Sequence, residues 1–147
     1  MAALTASYDP HPKDGALVAY PVAANTTIYK GGLVNISGGY AVPAADAANE
    51  SFAGVAHETK ANVASTPLPG GGGFAGAAGA LSIRVHKTGA FLYNRAGSAV
   101  TDIGKAVQIV DDNHVATTGT TNAIAAGYIT EVPSATQVRV RIDRAVQ

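Results

Sequence analysis

Residues 31–58, GGLVNISGGYAVPAADAANESFAGVAHE, return in altered form at residues 104–131, GKAVQIVDDNHVATTGTTNAIAAGYITE. At a constant offset of 73 positions the two stretches are identical at eight of 28 positions. The identical pairs are Gly31/Gly104, Val34/Val107, Ile36/Ile109, Val42/Val115, Asn49/Asn122, Ala53/Ala126, Gly54/Gly127 and Glu58/Glu131. Such a repeat predicts two related half-motifs that fold around one core.

Each copy ends in an apolar segment with a glycine inside it, Gly54 in the first copy and Gly127 in the second. A glycine within a strand marks a bulge, a bend or a close backbone approach, so we expect equivalent bent strands. Glu58 and Glu131 also occupy equivalent positions. They could form a carboxylate pair for acid–base chemistry, but we expect them to cap loops or to pair with Lys or Arg.

The apolar composition favours sheet over helix. Val and Ile together number 23 against six Leu, and β-branched side chains pack well on strands. Ala contributes 30 residues and Trp none, which predicts thin layers and a modest core. We therefore expect a mainly β fold, a compact barrel-like or sandwich-like single domain over residues 16–147.

Alternation places several strands. In QVRVRID (137–143) the inward side chains are Val138, Val140 and Ile142, and in LSIRVHK (81–87) they are Leu81, Ile83 and Val85. Two hairpins are predicted, one turning at Gly38-Gly39 and one at Asp111-Asp112-Asn113. The single helical prediction is a short turn within PAADAANE (43–50).

Two segments stand apart from this domain. Residues 1–15 form an arm in which Pro10 and Pro12 favour extended backbone. Residues 67–80 form a glycine-rich loop. Its GGGFAG (71–76) satisfies GxGxxG, but it follows TPLP and leads into a predicted strand, so we interpret it as a connector rather than a dinucleotide site.

Charge and chemistry suggest no catalytic centre. Ten basic and ten acidic residues balance, which favours neither nucleic acid nor membrane as a partner. The densest basic cluster is interpreted as the solvent face of a strand; it comprises Arg139, Arg141 and Arg144. The four histidines are far apart in sequence and lack metal-ligand spacing. They are His11, His57, His86 and His114. We expect no enzyme activity, no cofactor and no metal.

Targeting signals are not expected either. Cysteine is absent, which is compatible with a reducing cytoplasm but does not require one. The opening residues lack a basic head followed by an apolar run, so we expect no secretory signal. No apolar run approaches the ~20 residues needed to span a bilayer.

The order and spacing of these strand and turn segments resemble those of a known protein family. The stretch 31–58, followed by GAFLYN, IGKAVQIVDDNHVATT, AAGYITE and the terminal VRVRID, resembles the capsid decoration (cement) proteins of tailed bacteriophages. The resemblance covers residues 17–142, approximately. The glycine-rich loop has no counterpart in the family pattern.

The resemblance implies a homotrimer on the capsid exterior, assembled in the host bacterial cytoplasm, that bridges neighbouring capsomers and stabilises the expanded head. It implies that the arm reaches the major capsid protein. The arm residues expected to make this contact are Leu4, Tyr8, Asp9, Pro10, His11, Pro12 and Lys13.

Two alternatives stay open. The chain could be another virion part, such as a phage tail-tube or fibre domain. It could also be a small β-barrel module that binds a ligand, with Tyr40, Tyr128 or Phe74 as stacking residues.

Overall fold

The computed structural model describes residues 15–65 and 76–142. Within these ranges the chain forms twelve strands and one turn of 3-10 helix, Val100–Asp102. The strands are β1 (Leu17–Pro21), β2 (Thr26–Ile28), β3 (Leu33–Ser37), β4 (Tyr40–Pro43), β5 (Glu50–Ala56), β6 (Lys60–Asn62), β7 (Ser82–His86), β8 (Ala90–Asn94), β9 (Ala106–Ile109), β10 (Val115–Ala116), β11 (Ala125–Ser134) and β12 (Gln137–Arg141). The prediction of a mainly β fold is confirmed.

The strands form three antiparallel sheets. The first has the order β1-β7-β5-β3-β4, the second has the order β10-β9-β11-β12-β8, and β2 pairs with β6 in a small third sheet. The two outer strands of each large sheet approach one another only through an isolated bridge, Val22 with Ala41 and Asn94 with His114. The fold is therefore sandwich-like, and the barrel alternative is not what the chain forms.

The sequence repeat corresponds to a structural repeat. The hairpin β3–β4 is equivalent to β9–β10, and β5 is equivalent to β11. In the first half the ladder skips one residue of β5, Ala53, between Phe52 and Gly54. In the second half the ladder skips the matching residue of β11, Ala126. The expected bend at the paired glycines is thus a β-bulge at the same place in each half.

The structural repeat is longer than the sequence repeat. Strands β1 and β8 begin at residues 17 and 90, again 73 positions apart, and each is an outer strand of its sheet. Strands β7 and β12 are also equivalent but begin at residues 82 and 137, only 55 positions apart. The first half therefore carries an insertion between β5 and β7, where the second half turns directly from β11 into β12. This insertion contains β6 and the glycine-rich loop, so the loop is an addition to one half of a duplicated fold.

Two clusters of buried apolar side chains form the core. The smaller is built on the first sheet together with Ile28 of β2, and comprises Val22, Ile28, Val34, Ala41, Ala53, Ala56, Ile83 and Val85. The larger is built on the second sheet but includes Leu33, Phe52 and Val55 from the first. These three side chains join the halves, because they extend from the opposite face of the first sheet into the core of the second.

The alternation predictions are largely confirmed. Val138, Val140 and Ile142 are fully buried, as are Ile83 and Val85, whereas Leu81 is only half-buried. Both predicted hairpins form at the expected turns.

The predicted helical turn within 43–50 is wrong. This segment is an irregular loop in which Asn49 has a positive φ of 62°. The Asp46 carboxylate accepts hydrogen bonds from the backbone N–H groups of Thr121 and Asn122 in the other half. Because the Asp46 side chain bonds to the backbone of the other half, it does not support a helix within its own segment, and the segment stays irregular.

Candidate interaction surface

The seven arm residues predicted to contact a capsid, Leu4, Tyr8, Asp9, Pro10, His11, Pro12 and Lys13, lie outside the described residues. The described chain starts at Gly15, and the Ala16 carbonyl accepts a 2.9 Å hydrogen bond from the backbone N–H of Lys87. The arm therefore joins the fold at β1, an outer strand of the first sheet.

The glycine-rich loop falls largely outside the described residues as well, since these resume at Gly76. Its carboxyl end is tied down by Asn62, which is fully buried on β6. The Asn62 amide nitrogen lies within 2.8–3.2 Å of three carbonyl oxygens, those of Val22, Ala23 and Ala77. A single side chain thus links the insertion to the end of β1.

Large apolar side chains remain exposed on the described surface. Val100 is the most exposed at 74 %, followed by Tyr29 at 66 % and Ile103 at 50 %. Others exposed to a lesser degree are Leu17, Tyr40, Val63, Leu92, Val110 and Tyr128. Exposed apolar side chains that cluster and are held rigidly are typical of protein-binding surfaces.

Val100 begins the 3-10 turn and Ile103 directly follows it, and the Ile103 N–H donates a 3.2 Å hydrogen bond to the Val100 carbonyl. They flank Asp102 in the 3-10 turn, and we call this pair the 100–103 tip. Asp102 is only 5 % exposed, and its carboxylate lies 2.7 Å from both Arg95 Nη1 and Lys105 Nζ. It also accepts a 2.9 Å hydrogen bond from the backbone N–H of Ala99.

This network keeps the carboxylate ionised. The hydrogen bond from Lys105, followed by that from the Ala99 amide, lowers the pKa of Asp102 to about 2. Three contacts to one largely buried carboxylate, from Arg95, Lys105 and the Ala99 amide, restrain the turn that carries the 100–103 tip. Sequence reasoning missed this network, because Arg95 and Asp102 carry no motif and meet only through the fold.

A shallow cleft of about 430 Å³ lies at the seam between the halves. Its walls are Tyr29, Lys30, Gly31 and Gly32 from the first half, and Leu92, Tyr93, Asn94, Asp112, Asn113 and Gln137 from the second. The Tyr93 hydroxyl closes its floor by donating a 3.1 Å hydrogen bond to the Gly31 carbonyl, and burial raises the pKa of Tyr93. The stacking residues of the ligand-binding hypothesis lie elsewhere: Tyr40 and Tyr128 do not line this cleft, and Phe74 is outside the described residues.

The paired glutamates form ion pairs. Glu58 lies 3.0 Å from Arg84 Nε on β7, and Glu131 lies 2.7 Å from Arg139 Nε on β12. Because β7 and β12 are equivalent strands, the two ion pairs are copies of one interaction. The hydrogen bond from Arg84 lowers the pKa of Glu58 to about 2. This arrangement agrees with the expectation that these glutamates pair with Lys or Arg.

The arginine cluster was expected on a solvent face. Arg139 is half-buried beside Glu131 and Arg141 is exposed, both on the side of β12 opposite the core. Arg144 lies outside the described residues.

Two of the histidine side chains are in contact. His57 Nδ1 lies 3.0 Å from His86 Nε2, because β5 and β7 are neighbours in the first sheet. His114 instead pairs with Asp111 at 3.0 Å, and His11 is outside the described residues. The two residues are 29 positions apart in the sequence, and because the insertion lies between their strands the sequence did not reveal this contact. Across residues 15–65 and 76–142, no three His, Asp or Glu side chains group as metal ligands.

In the same ranges no helix is long and apolar enough to cross a bilayer. Comparison with protein families, with curated proteins and with solved structures finds no match to the chain.

Proposed function

We propose that the chain is a structural virion protein that decorates the outside of a phage capsid and stabilises the expanded head. The observation that carries this proposal is the different use of charged and of large apolar side chains on the described surface. Charged side chains form ion pairs within the fold, as in the Glu58–Arg84 and Asp102–Arg95 pairs, while large apolar side chains such as Val100 remain exposed. A surface of this kind suits binding to another protein. The sequence resemblance to cement proteins supplies the identity of that partner, the major capsid protein.

The 100–103 tip is suited to the role of anchor. Interfaces gain most of their affinity from a few rigid apolar or aromatic side chains that enter a partner's pocket. A tip fixed by a buried carboxylate loses little conformational entropy on docking, so more of its interaction energy appears as affinity.

Trimerisation would multiply such contacts. In a homotrimer each later contact becomes intramolecular, so weak single contacts sum to tight attachment. An extended arm can add a strand to a partner's sheet edge, and each trimer would carry three. A binder specific for the expanded lattice stabilises that lattice by mass action, by about 2.7 kcal/mol per site at a hundredfold excess over Kd.

The experiment is co-sedimentation of the purified chain with heads of the matched phage, stripped of decoration, in expanded and unexpanded forms. We expect pelleting with expanded heads only. Pelleting with neither form would refute capsid decoration and favour a tail-tube or fibre role.

A chain lacking residues 2–14 tests the arm separately. We expect it to fold, with an unchanged Tm, and to lose shell binding. Full binding by the truncated chain would show that the arm is not the contact.

A further inference from the structure

The His57–His86 contact has a built-in dependence on protonation. The two ring nitrogens are 3.0 Å apart, and the ring planes are inclined at 71°. A hydrogen bond between imidazoles needs an N–H on one nitrogen and a lone pair on the other. When both rings are protonated no lone pair remains, and two cations face each other with ring centroids 4.9 Å apart.

Within residues 15–65 and 76–142 no carboxylate forms an ion pair with either ring to offset that repulsion. The charged group that acts on His86 besides His57 is Lys30, which is positive as well. The carboxylate next in sequence, Glu58, is bonded to Arg84 and lies 3.6 Å from Lys60 Nζ. From the second half it is Phe91 of β8 that packs on His86, with ring centroids 5.6 Å apart. Burial, then His57, then Lys30 lower the pKa of His86.

The pair lies at the shortest strand pairing of the first sheet, the β5–β7 joint. Strands β5 and β7 share only two ladder pairs, Val55 with His86 and Ala56 with Val85. One further backbone hydrogen bond extends the joint, from the His57 N–H to the Arg84 carbonyl at 2.9 Å. The equivalent joint between β11 and β12 continues for four pairs, because no insertion diverts the chain there.

The second half has no histidines at this position. Arg141 of β12 stands where β7 has His86, and Thr130 of β11 corresponds to His57. The histidine pair therefore occurs only in the half of the described chain that has the short β5–β7 joint and the insertion between these two strands.

We infer that the His57–His86 contact makes the β5–β7 joint sensitive to acid. The joint is intact at neutral pH and loosens when both imidazoles are protonated. Loosening would free the β1–β7 edge of the first sheet, the edge from which the arm departs. This inference goes beyond capsid decoration and does not depend on it, since it concerns the isolated chain.

The direction of the pH effect follows from proton binding. Burial, followed by His57 and Lys30, lowers the pKa of folded His86, so below the unfolded-state pKa of about 6.5 the unfolded chain binds more protons. Stability is therefore highest above that pH. It falls as the pH drops towards the lowered pKa of folded His86, and this contribution levels off below it.

The test is thermal unfolding between pH 8 and pH 5.5, a range that avoids carboxylate titration. We compare the wild-type chain with His57→Gln, His86→Gln and the control His114→Gln. The wild-type Tm should fall by on the order of 5 °C across this range. Either glutamine at the pair should remove at least half of that fall, whereas His114→Gln should retain it. An unchanged fall in both pair variants would overturn the inference.

A local measurement covers the case in which a pair variant does not fold. Hydrogen exchange of the His57 amide, corrected for intrinsic rate, should accelerate at pH 5.5 relative to the Ile129 amide, which is bonded to the Lys105 carbonyl in the second half. Equal behaviour of the two amides in the wild-type chain would contradict a local release.

Discussion

Two glycines, Gly54 and Gly127, hold equivalent positions and meet equivalent obstacles. Their φ angles are 143° and 154°, a region that L-residues avoid. A Cβ on Gly54 would overlap the His86 carbonyl oxygen, and one on Gly127 would overlap the Arg141 carbonyl oxygen. The bulge at each glycine brings the neighbouring strand into direct backbone contact, so both halves depend on a residue without a side chain.

Gly127→Ala should accordingly destabilise the fold by about 3 kcal/mol or more, since it combines backbone strain with steric overlap. The matched control is Gly97→Ala, where φ is 70° but no atom lies within 4 Å of the added methyl group. The control should lose only about 1–2 kcal/mol. Urea unfolding measures both; equal losses would mean that the close approach at Gly127 costs nothing.

Asp102 should make the stability of the fold sensitive to acid. Its pKa is lowered from 3.8 to about 2, so its stabilisation is present above pH 4 and disappears as the pH falls towards 2. Asp102→Asn should lower the Tm at pH 7, and should then show a shallower decline than the wild type between pH 5 and pH 2.

The control for this series is Asp112→Asn, whose carboxylate has no hydrogen-bond partner among the residues described. Its Tm should follow the wild-type curve. Identical acid curves for Asp102→Asn and the wild type would show that the network around the 3-10 turn does not stabilise the fold.

Among the strands, the two halves differ chiefly in the segments that come after β5 and β11. The chain turns at once from β11 into β12, whereas after β5 it first builds β6 and the glycine-rich loop. Strand β6 pairs with β2, whose Ile28 is buried together with Val22 in the smaller core cluster. The insertion therefore supplies a partner strand for β2, and it accompanies the short β5–β7 joint.

Asn62 is the residue on which this added layer depends. Asn62→Ala would leave the carbonyls of Val22, Ala23 and Ala77 without its amide, and should cost about 1–3 kcal/mol in urea unfolding. Asn113→Ala, an exposed position in the β9–β10 turn, should change stability by less than about 0.5 kcal/mol. A loss for Asn62→Ala no larger than that of the control would contradict the anchoring role.

Local pattern predicted most of the strands but little of their pairing. Alternation located β7 and β12, and turn residues located both hairpins, because these signals lie within a few neighbouring residues. The equivalence of β7 with β12 was hidden, since the insertion changes the offset from 73 to 55 positions. The His57–His86 contact was missed for the same reason. The Arg95–Asp102 pair, in the half without the insertion, was missed because neither residue belongs to a motif.

The complete described chain is a duplicated β fold with one elaborated half. Leu33 and Phe52 of the first sheet enter the core of the second, so the halves share a core. A molecule of this kind can bind a partner protein through side chains exposed on its surface, and such binding does not require a deep pocket. The 100–103 tip belongs to the half that lacks the insertion, and the arm leaves from the half that carries it.

The tip gives a binding prediction. Val100→Ser combined with Ile103→Ser should weaken attachment to expanded heads by at least about tenfold, because anchor side chains carry most interface energy. The Tm should change little, since Val100 is largely exposed and Ile103 is half-exposed. Val110→Ser, at a site 41 % exposed, should leave binding intact. Equal affinities for the double variant and this control would remove the tip from the contact surface.

Binding to the outside of an expanded capsid can be observed directly by electron cryomicroscopy of stripped, expanded heads with and without the added chain. We predict difference density on the outer surface at local three-fold positions, with three copies of the duplicated β fold in each. Density confined to the tail, or no added density at saturating concentration, would contradict capsid decoration.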